Sequence, residues 1–261
     1  MKIEKFKKKG KDKYEVFFED GTSIELYEDV IINNQLLVNK YVDETVIKDI
    51  KSQNNNSEIY IKCVKYISIR MRSKNEIREY LIKNNCDKKI IDEIINKLCN
   101  NGLLNEQQFV KSFINDKLLM TNHGPYKIKK ELLKHKIDEA LIDNNILNID
   151  EKILLEKIEK IINKYVKTNH KYSGYILKNK IQEQLNILGY PKYLYQDKID
   201  NISINNEDEI LKKEALKEYK KLSKKYSELE IKSKLKQKLY QKGFGNINID
   251  DILNNIMDST S

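Results

Sequence analysis

Arg70, Arg72 and Arg78 are the only guanidinium groups in a chain that otherwise carries its positive charge on lysine. A guanidinium makes paired bonds to carboxylate or phosphate. These residues therefore suit either contact with a nucleic-acid backbone or an acidic protein surface, or local bracing through a carboxylate such as Glu76. A second cationic group, Lys127, Lys129, Lys130, Lys134 and Lys136, follows Pro125. It begins where a helix N-terminus is predicted, and exposed N–H groups there favour anions. A phosphate or acidic partner and a plain solvated lysine face are both open readings. A third group, Lys7, Lys8, Lys9 and Lys11 with Lys5 and Lys13 beside it, lies on a predicted hairpin. It suits contact with a nucleic-acid strand, or protection of a sheet edge against pairing.

Catalytic chemistry finds little material. His123, His135 and His170 are isolated, with no second ligand at metal spacing, and surface positions are expected for them. The three cysteines, Cys63, Cys86 and Cys99, are odd in number and widely spaced, which fits buried thiols in a reducing compartment. No glycine-rich phosphate loop, G-x-S-x-G or H-E-x-x-H occurs, so no enzyme activity, cofactor or metal is expected. Tyr165, Tyr172, Tyr175, Tyr193 and Tyr195 cluster in one region and suit packing between helices better than base stacking. Lys plus Arg number 49 against 40 Asp plus Glu, a net charge of +9 that favours acidic partners. Lys, Asn and Ile dominate as in AT-rich coding, so part of the lysine excess carries no functional meaning. No apolar run approaches the roughly 18 residues of a membrane span. The start from Met1 to Lys7 lacks a signal-peptide pattern, so a cytoplasmic protein without membrane contact is expected.

The elements that must position these side chains are mostly helical. Only 2 Pro and 8 Gly occur, too few turn residues for an all-β fold. The exception is the N-terminus, where 13–18 and 22–27 alternate on either side of Asp20-Gly21, a strong hairpin signal. With 2–8 as a further strand, this predicts a three-stranded antiparallel sheet, followed by helices near 28–33 and 43–52. Gln53-Asn54-Asn55-Asn56-Ser57 reads as a polar linker, placing a boundary near residue 55.

Beyond it an apolar triplet at i, i+4 and i+9 recurs: Ile77/Leu81/Cys86, Ile128/Leu132/Ile137, Ile181/Leu185/Tyr190 and Leu235/Leu239/Phe244. The first two residues share a helix face, and the third lies past the helix end. Gly189 and Gly243 stand just before that third residue, where a C-terminus needs a left-handed conformation, and Asn85 and Lys136 hold the same place in the first two copies. A three-helix unit of roughly 50 residues buries its apolar face only by stacking on neighbours. The fold class is therefore mainly α: an elongated tandem array of three-helix repeats behind a small N-terminal hairpin domain. The divisions are 1–55 for the α+β domain, then repeats at 58–104, 105–149, 150–204 and 205–261.

Two motifs sit at helix starts. Ser73 and Glu76 form an S-x-x-E capping box, preceded by Arg70 and Arg72 at the end of the previous helix, and Pro125 suits the first turn of another. The run from Arg70 to Ile77 matches R-x-R-S-x-x-E-[LI]. Gly102-Leu103-Leu104-Asn105-Glu106 and then Gly124 to Leu132 match G-[YL]-[LI]-[ND]-[DE] and G-x-x-[RK]-[IL]-x-x-E-L, with Lys127 standing where Arg is usual and Lys136 where Gly is favoured. In these motifs the chain resembles the RecX family, strongly over residues 58–145 and by architecture elsewhere. The resemblance implies a non-enzymatic monomer that binds RecA and the RecA–single-stranded DNA filament, with direct contact to single- or double-stranded DNA as a further partner. It implies depression of recombinase, ATPase and co-protease activity in DNA repair and the SOS response. The alternative is a basic helical-repeat DNA-binding or transcription-type protein with no recombinase partner.

Overall fold

Alternation on both sides of a left-handed glycine builds the only sheet among the described residues. In a computed structural model, which describes residues 1–169, 171–202, 207–244, 251–252 and 256, strands β1 (Ile3–Lys8), β2 (Lys13–Phe18) and β3 (Ser23–Tyr27) pair antiparallel in chain order. Gly21 takes φ 82°, and Asp20 fixes the turn by accepting from the Thr22 backbone N–H and hydroxyl. Helices α1 (Glu28–Asn33) and α2 (Glu44–Ile69) follow, with Asp43 as the N-cap of α2. Ile3, Val16, Phe18 and Leu26 from the sheet pack with Val30, Ile31, Ile47 and Ile50 from the helices.

The expected linker at Gln53–Ser57 is corrected: it lies inside α2, which runs 26 residues without a break. The Asn-rich run is polar because it closes the sheet edge. The Asn54 side chain behaves as a peptide group toward edge strand β3, accepting from Tyr27 N–H at 2.8 Å and donating to Glu25 O at 3.0 Å. The Ser57 hydroxyl donates to Asp29 at 2.8 Å, and the Asn34 amide donates to Gln53 at 2.7 Å. Cys63, further along α2, packs into the next core with Ile77, Leu81, Ile94 and Leu98.

The remaining helices are α3 (Lys74–Lys83), α4 (Lys88–Asn100), α5 (Glu106–Met120), α6 (Pro125–Leu133), α7 (Glu139–Leu147), α8 (Glu151–Thr168), α9 (Gly174–Leu188), α10 (Gln196–Asp200), α11 (Glu207–Leu222) and α12 (Glu228–Gln241). A 3-10 turn, Lys192–Leu194, precedes α10. The chain forms two compact units, one of residues 1–112 with 135–137 and one of 113–134 with 138–261. The last helix expected in 205–261 lies largely outside the described residues, as does His170.

The recurring triplets are the spine of helices α3, α6, α9 and α12. Their first two residues, Ile77, Leu81, Ile128, Leu132, Ile181, Leu185, Leu235 and Leu239, are all 0% exposed. After each helix the backbone turns left-handed, at Asn85 (φ 57°), Lys136 (φ 54°), Gly189 (φ 82°) and Gly243 (φ 87°). In three of the four the closing residue bonds five residues back: Cys86 N–H to Leu81 O, Tyr190 to Leu185 and Phe244 to Leu239. Lys136, lacking glycine's freedom, holds this conformation at a cost of about 1–2 kcal/mol.

Candidate partner and nucleic-acid interface

At the start of α3 the first candidate group folds in on itself. Ser73 accepts from the Glu76 N–H at 3.1 Å, and the Glu76 carboxylate accepts from the Ser73 N–H at 3.0 Å, a complete capping box. Arg70, the C-cap of α2, donates to the same carboxylate. Arg72 reaches it at 3.5 Å while its guanidinium lies 3.8 Å over the Tyr66 ring, which in turn stacks on Tyr80. Burial alone pushes the Glu76 carboxyl up, but the bonds from Arg70 and Ser73 outweigh it and hold the group below its usual range. Arg72, with its side chain 10% exposed, braces the junction; Arg70 is half-exposed and keeps a solvent face. Arg78 pairs with Asp92 at 2.8 Å, joining α3 to α4.

The anion expected at the start of α6 finds that helix end already occupied. Gly124 N–H donates to Leu188 O at 2.7 Å and Tyr126 N–H to Gly189 O at 3.0 Å, so carbonyls at the end of α9 take the first donors. Pro125 sits in the first turn and is buried. Lys129 is drawn off as well: its ammonium bonds Asp143 at 2.6 Å and Glu139 at 2.7 Å, which raises its pKa and ties α6 to α7. The remaining lysines, Lys127, Lys130 and Lys134, follow at i, i+3 and i+7 along one helix face, and none makes an ion pair among the described residues. The expectation of one cluster around a helix-end anion is thus replaced by a free strip of three lysines.

In the N-terminal sheet, Lys7, Lys8, Lys9 and Lys11 are exposed on β1 and the turn after it. Lys9 pairs with Glu15 at 3.0 Å and Lys8 lies over the Tyr14 ring. Since β1 is an edge, the lysines stand where they block further pairing.

The histidine reading needs correction. His123 and His135 are half-buried beside carboxylates, Nδ1 of His123 2.9 Å from Glu131 and Nδ1 of His135 3.8 Å from Glu76. His135 also lies 3.4 Å from the Ser73 hydroxyl and edge-on to Phe109. Burial lowers the His123 pKa, helped by the nearby Lys127 charge. Of the cysteines only Cys63 is fully buried, its thiol pushed up to about 11 by burial; Cys86 and Cys99 are half-buried, and all three are free. Tyr195 is buried and bonded to Asn186, and the Tyr165 hydroxyl donates to Gln184, whereas Tyr175 and Tyr193 are exposed. Among the described residues no three His, Cys, Asp or Glu side chains are placed to hold a metal, and no helix is long and apolar enough to cross a membrane.

Sequence reasoning missed three participants. Tyr66 precedes Arg72 by six residues, outside the local capping pattern; His135 lies far along the chain; and the run Lys220-Lys221-Leu222-Ser223-Lys224-Lys225, as dense in charge as the N-terminal group, is visible by simple counting.

The likenesses to known proteins fall on the same residues. Family models described as the first and second three-helix domains of RecX match residues 60–98 and 105–144. The regulatory protein RecX of Streptococcus agalactiae serotype III (strain NEM316) is 31% identical over 253 residues, covering 94% of this chain and 95% of that protein. The regulatory protein RecX of Lactococcus lactis subsp. lactis (strain IL1403) is 33% identical over 253 residues, covering 93% and 92%. A crystal structure of a regulatory protein RecX covers 75% of this chain and 97% of its own at TM-score 0.69 and 21% identity, and one of RecX from Lactobacillus salivarius covers 63% and 99% at TM-score 0.52 and 23%. Those two structures establish the fold. The identity over nearly the whole length establishes the rest: the chain belongs to the regulatory protein RecX family.

Proposed function

We propose that this chain is a non-enzymatic, cofactor-free regulator that binds RecA and the RecA–single-stranded DNA filament and depresses strand exchange, coupled ATP hydrolysis and co-protease activity. The observation that carries the reading is the likeness, over more than nine-tenths of both chains, to proteins named as regulatory protein RecX. A ligand changes what a filament does only by binding one of its states better than another. Repeats bounded at 58–104, 105–149, 150–204 and 205–261 offer several helix faces to that task, with Lys127, Lys130 and Lys134 as contact residues and Arg70 as a partial one. Lys7, Lys8 and Lys11 offer a second basic surface. Arg72, Ser73 and Glu76 hold the framework.

The test is DNA-dependent ATP turnover by RecA on single-stranded DNA with increasing amounts of this chain, beside co-sedimentation with preformed filaments. Turnover should fall at or below one chain per RecA subunit, and the chain should pellet with filaments more readily than with naked strand. If turnover falls only once the chain coats the DNA, it is a basic DNA-binding protein without a recombinase partner.

A further inference from the structure

Helix α11 presents Lys213, Leu216, Lys217 and Lys220 at i, i+3, i+4 and i+7, a single face. This face and the turn that follows it, through Lys224, Lys225 and Tyr226, form a cleft of about 690 Å³. Among the described residues no carboxylate lines it. Two acidic residues of α11, Glu214 and Glu218, bond the half-buried Lys242 at 2.8 and 3.0 Å. Lys217 and Lys221 reach these carboxylates at 3.8 and 3.1 Å and are partly neutralised. Lys213, Lys220, Lys224 and Lys225 are exposed and make no ion pair among the described residues. Leu216 gives the cleft an apolar floor, and Tyr226, 39% exposed, stands beside it with the Lys234 ammonium 4.3 Å over one face of its ring, which leaves the other face for a base.

We propose that this cleft is a binding site for the sugar–phosphate backbone of a single nucleic-acid strand. Four uncompensated ammonium groups, two of them two helical turns (roughly 10.5 Å) apart on α11 and two in the turn after it, call for a ligand that repeats its charge. A strand supplies one phosphate per nucleotide, along with bases whose faces stack on an exposed tyrosine. An acidic protein loop meets the charge but leaves the ring and the apolar floor unused. Lysine, a flexible point charge, suits a backbone read without regard to sequence. The site lies in a region where no candidate was placed from sequence. It rests on the reading that the chain works on strand-bound recombinase, and adds the place where the strand is touched.

The test measures fluorescence anisotropy of a labelled oligothymidylate with the full chain across a salt series. Four neutralised phosphates predict a slope of log K on log salt near −2.8, from about −0.7 for each. Joint replacement of Lys213, Lys220, Lys224 and Lys225 by Glu should weaken binding at least tenfold, a change of about 1.4 kcal/mol. The matching Gln variant should lose several-fold and flatten the slope. A control of equal charge change, with Lys48, Lys51, Lys88 and Lys89 replaced by Glu, should stay within about threefold of wild type, since those groups belong to α2 and α4 and none of them lines the cleft. Circular dichroism of each variant reports the fold. The proposal is overturned if the control loses as much as the cleft variant, or if polyglutamate of matched charge displaces the oligonucleotide as well as unlabelled oligothymidylate does. RecA turnover separates the two readings. A wild type that binds the strand through the cleft yet leaves turnover untouched defeats the regulator and keeps the site. A cleft variant that suppresses turnover and binds strand like wild type defeats the site and keeps the regulator.

Discussion

Helices α3 and α6 begin at equivalent places in successive repeats, and they close their first turns by opposite means. At α3 side chains do the work: Ser73 and Glu76 exchange bonds with the backbone, and Arg70 and Arg72 hold the carboxylate. At α6 backbone does it: Gly124 and Tyr126 donate directly to carbonyls at the end of α9. A Cβ on Gly124 would stand 2.6 Å from Gly189 O, so no capping side chain fits there. The start of α9 repeats the scheme with a serine, as Ser173 N–H donates to Lys242 O at 2.9 Å. The start of one repeat's middle helix seated on the end of the next is thus the recurring joint in the second unit. Charge at such joints serves the framework first. What remains for a partner is charge lying away from them.

The comparison breaks most severely at Gly189. Its φ of 82° and its contact with Lys127 leave no room for a methyl group. Gly189→Ala should cost about 2–4 kcal/mol, combining roughly 1–2 for the left-handed conformation with an overlap that the α6 backbone must yield to. Urea denaturation measures it. A loss under about 1 kcal/mol would mean that the joint is loose, and that α6 does not depend on α9 for its first turn.

At the side-chain joint a smaller loss is expected. Ser73→Ala removes one hydrogen bond to a helix N-terminus and should cost about 1 kcal/mol, within a range of about 0.5–2. The paired carboxylate gives a pH signature. Because the Glu76 pKa is depressed in the folded chain, its contribution is full above the ordinary value of 4.5 and is lost as pH falls through the lower folded value. Glu76→Gln should therefore flatten the acid limb of the stability profile and leave its shape near neutrality unchanged. An acid limb as steep as that of wild type would place the titrating group elsewhere.

Local signals were readable from sequence; distant ones were not. The hairpin, α1 and the capping box rest on neighbours within a few residues, and the sheet and α3 appear where alternation and spacing put them. The left-handed places were legible even at Asn85 and Lys136, because the apolar triplet fixes where each helix must end. The linker was misread because asparagine-rich runs usually mark loops, whereas Asn54 serves strand β3, 27 residues earlier. The occupied start of α6 was hidden for the same reason: Gly124 reads as an ordinary helix entry until Gly189 lies against it. A lysine's type shows its charge, while only its surroundings show whether that charge is already engaged.

Lys129 sharpens this last distinction, with the smallest effect. It sits between Lys127 and Lys130 in sequence, yet about 200° of helical rotation separates it from Lys127. Asp143 and Glu139 hold its ammonium on the far side. Lys129→Ala should leave suppression of RecA turnover within about twofold of wild type, since a half-buried charge already paired to Asp143 and Glu139 is not offered to a partner. Lys127→Glu with Lys130→Glu should weaken filament binding at least tenfold, or about 1.4 kcal/mol. Equal losses from the two would mean that the partner draws Lys129 away from α7, so that the ion pair opens on binding. Loss from neither would remove this face from the interface and leave the hairpin lysines and the α11 cleft to carry it.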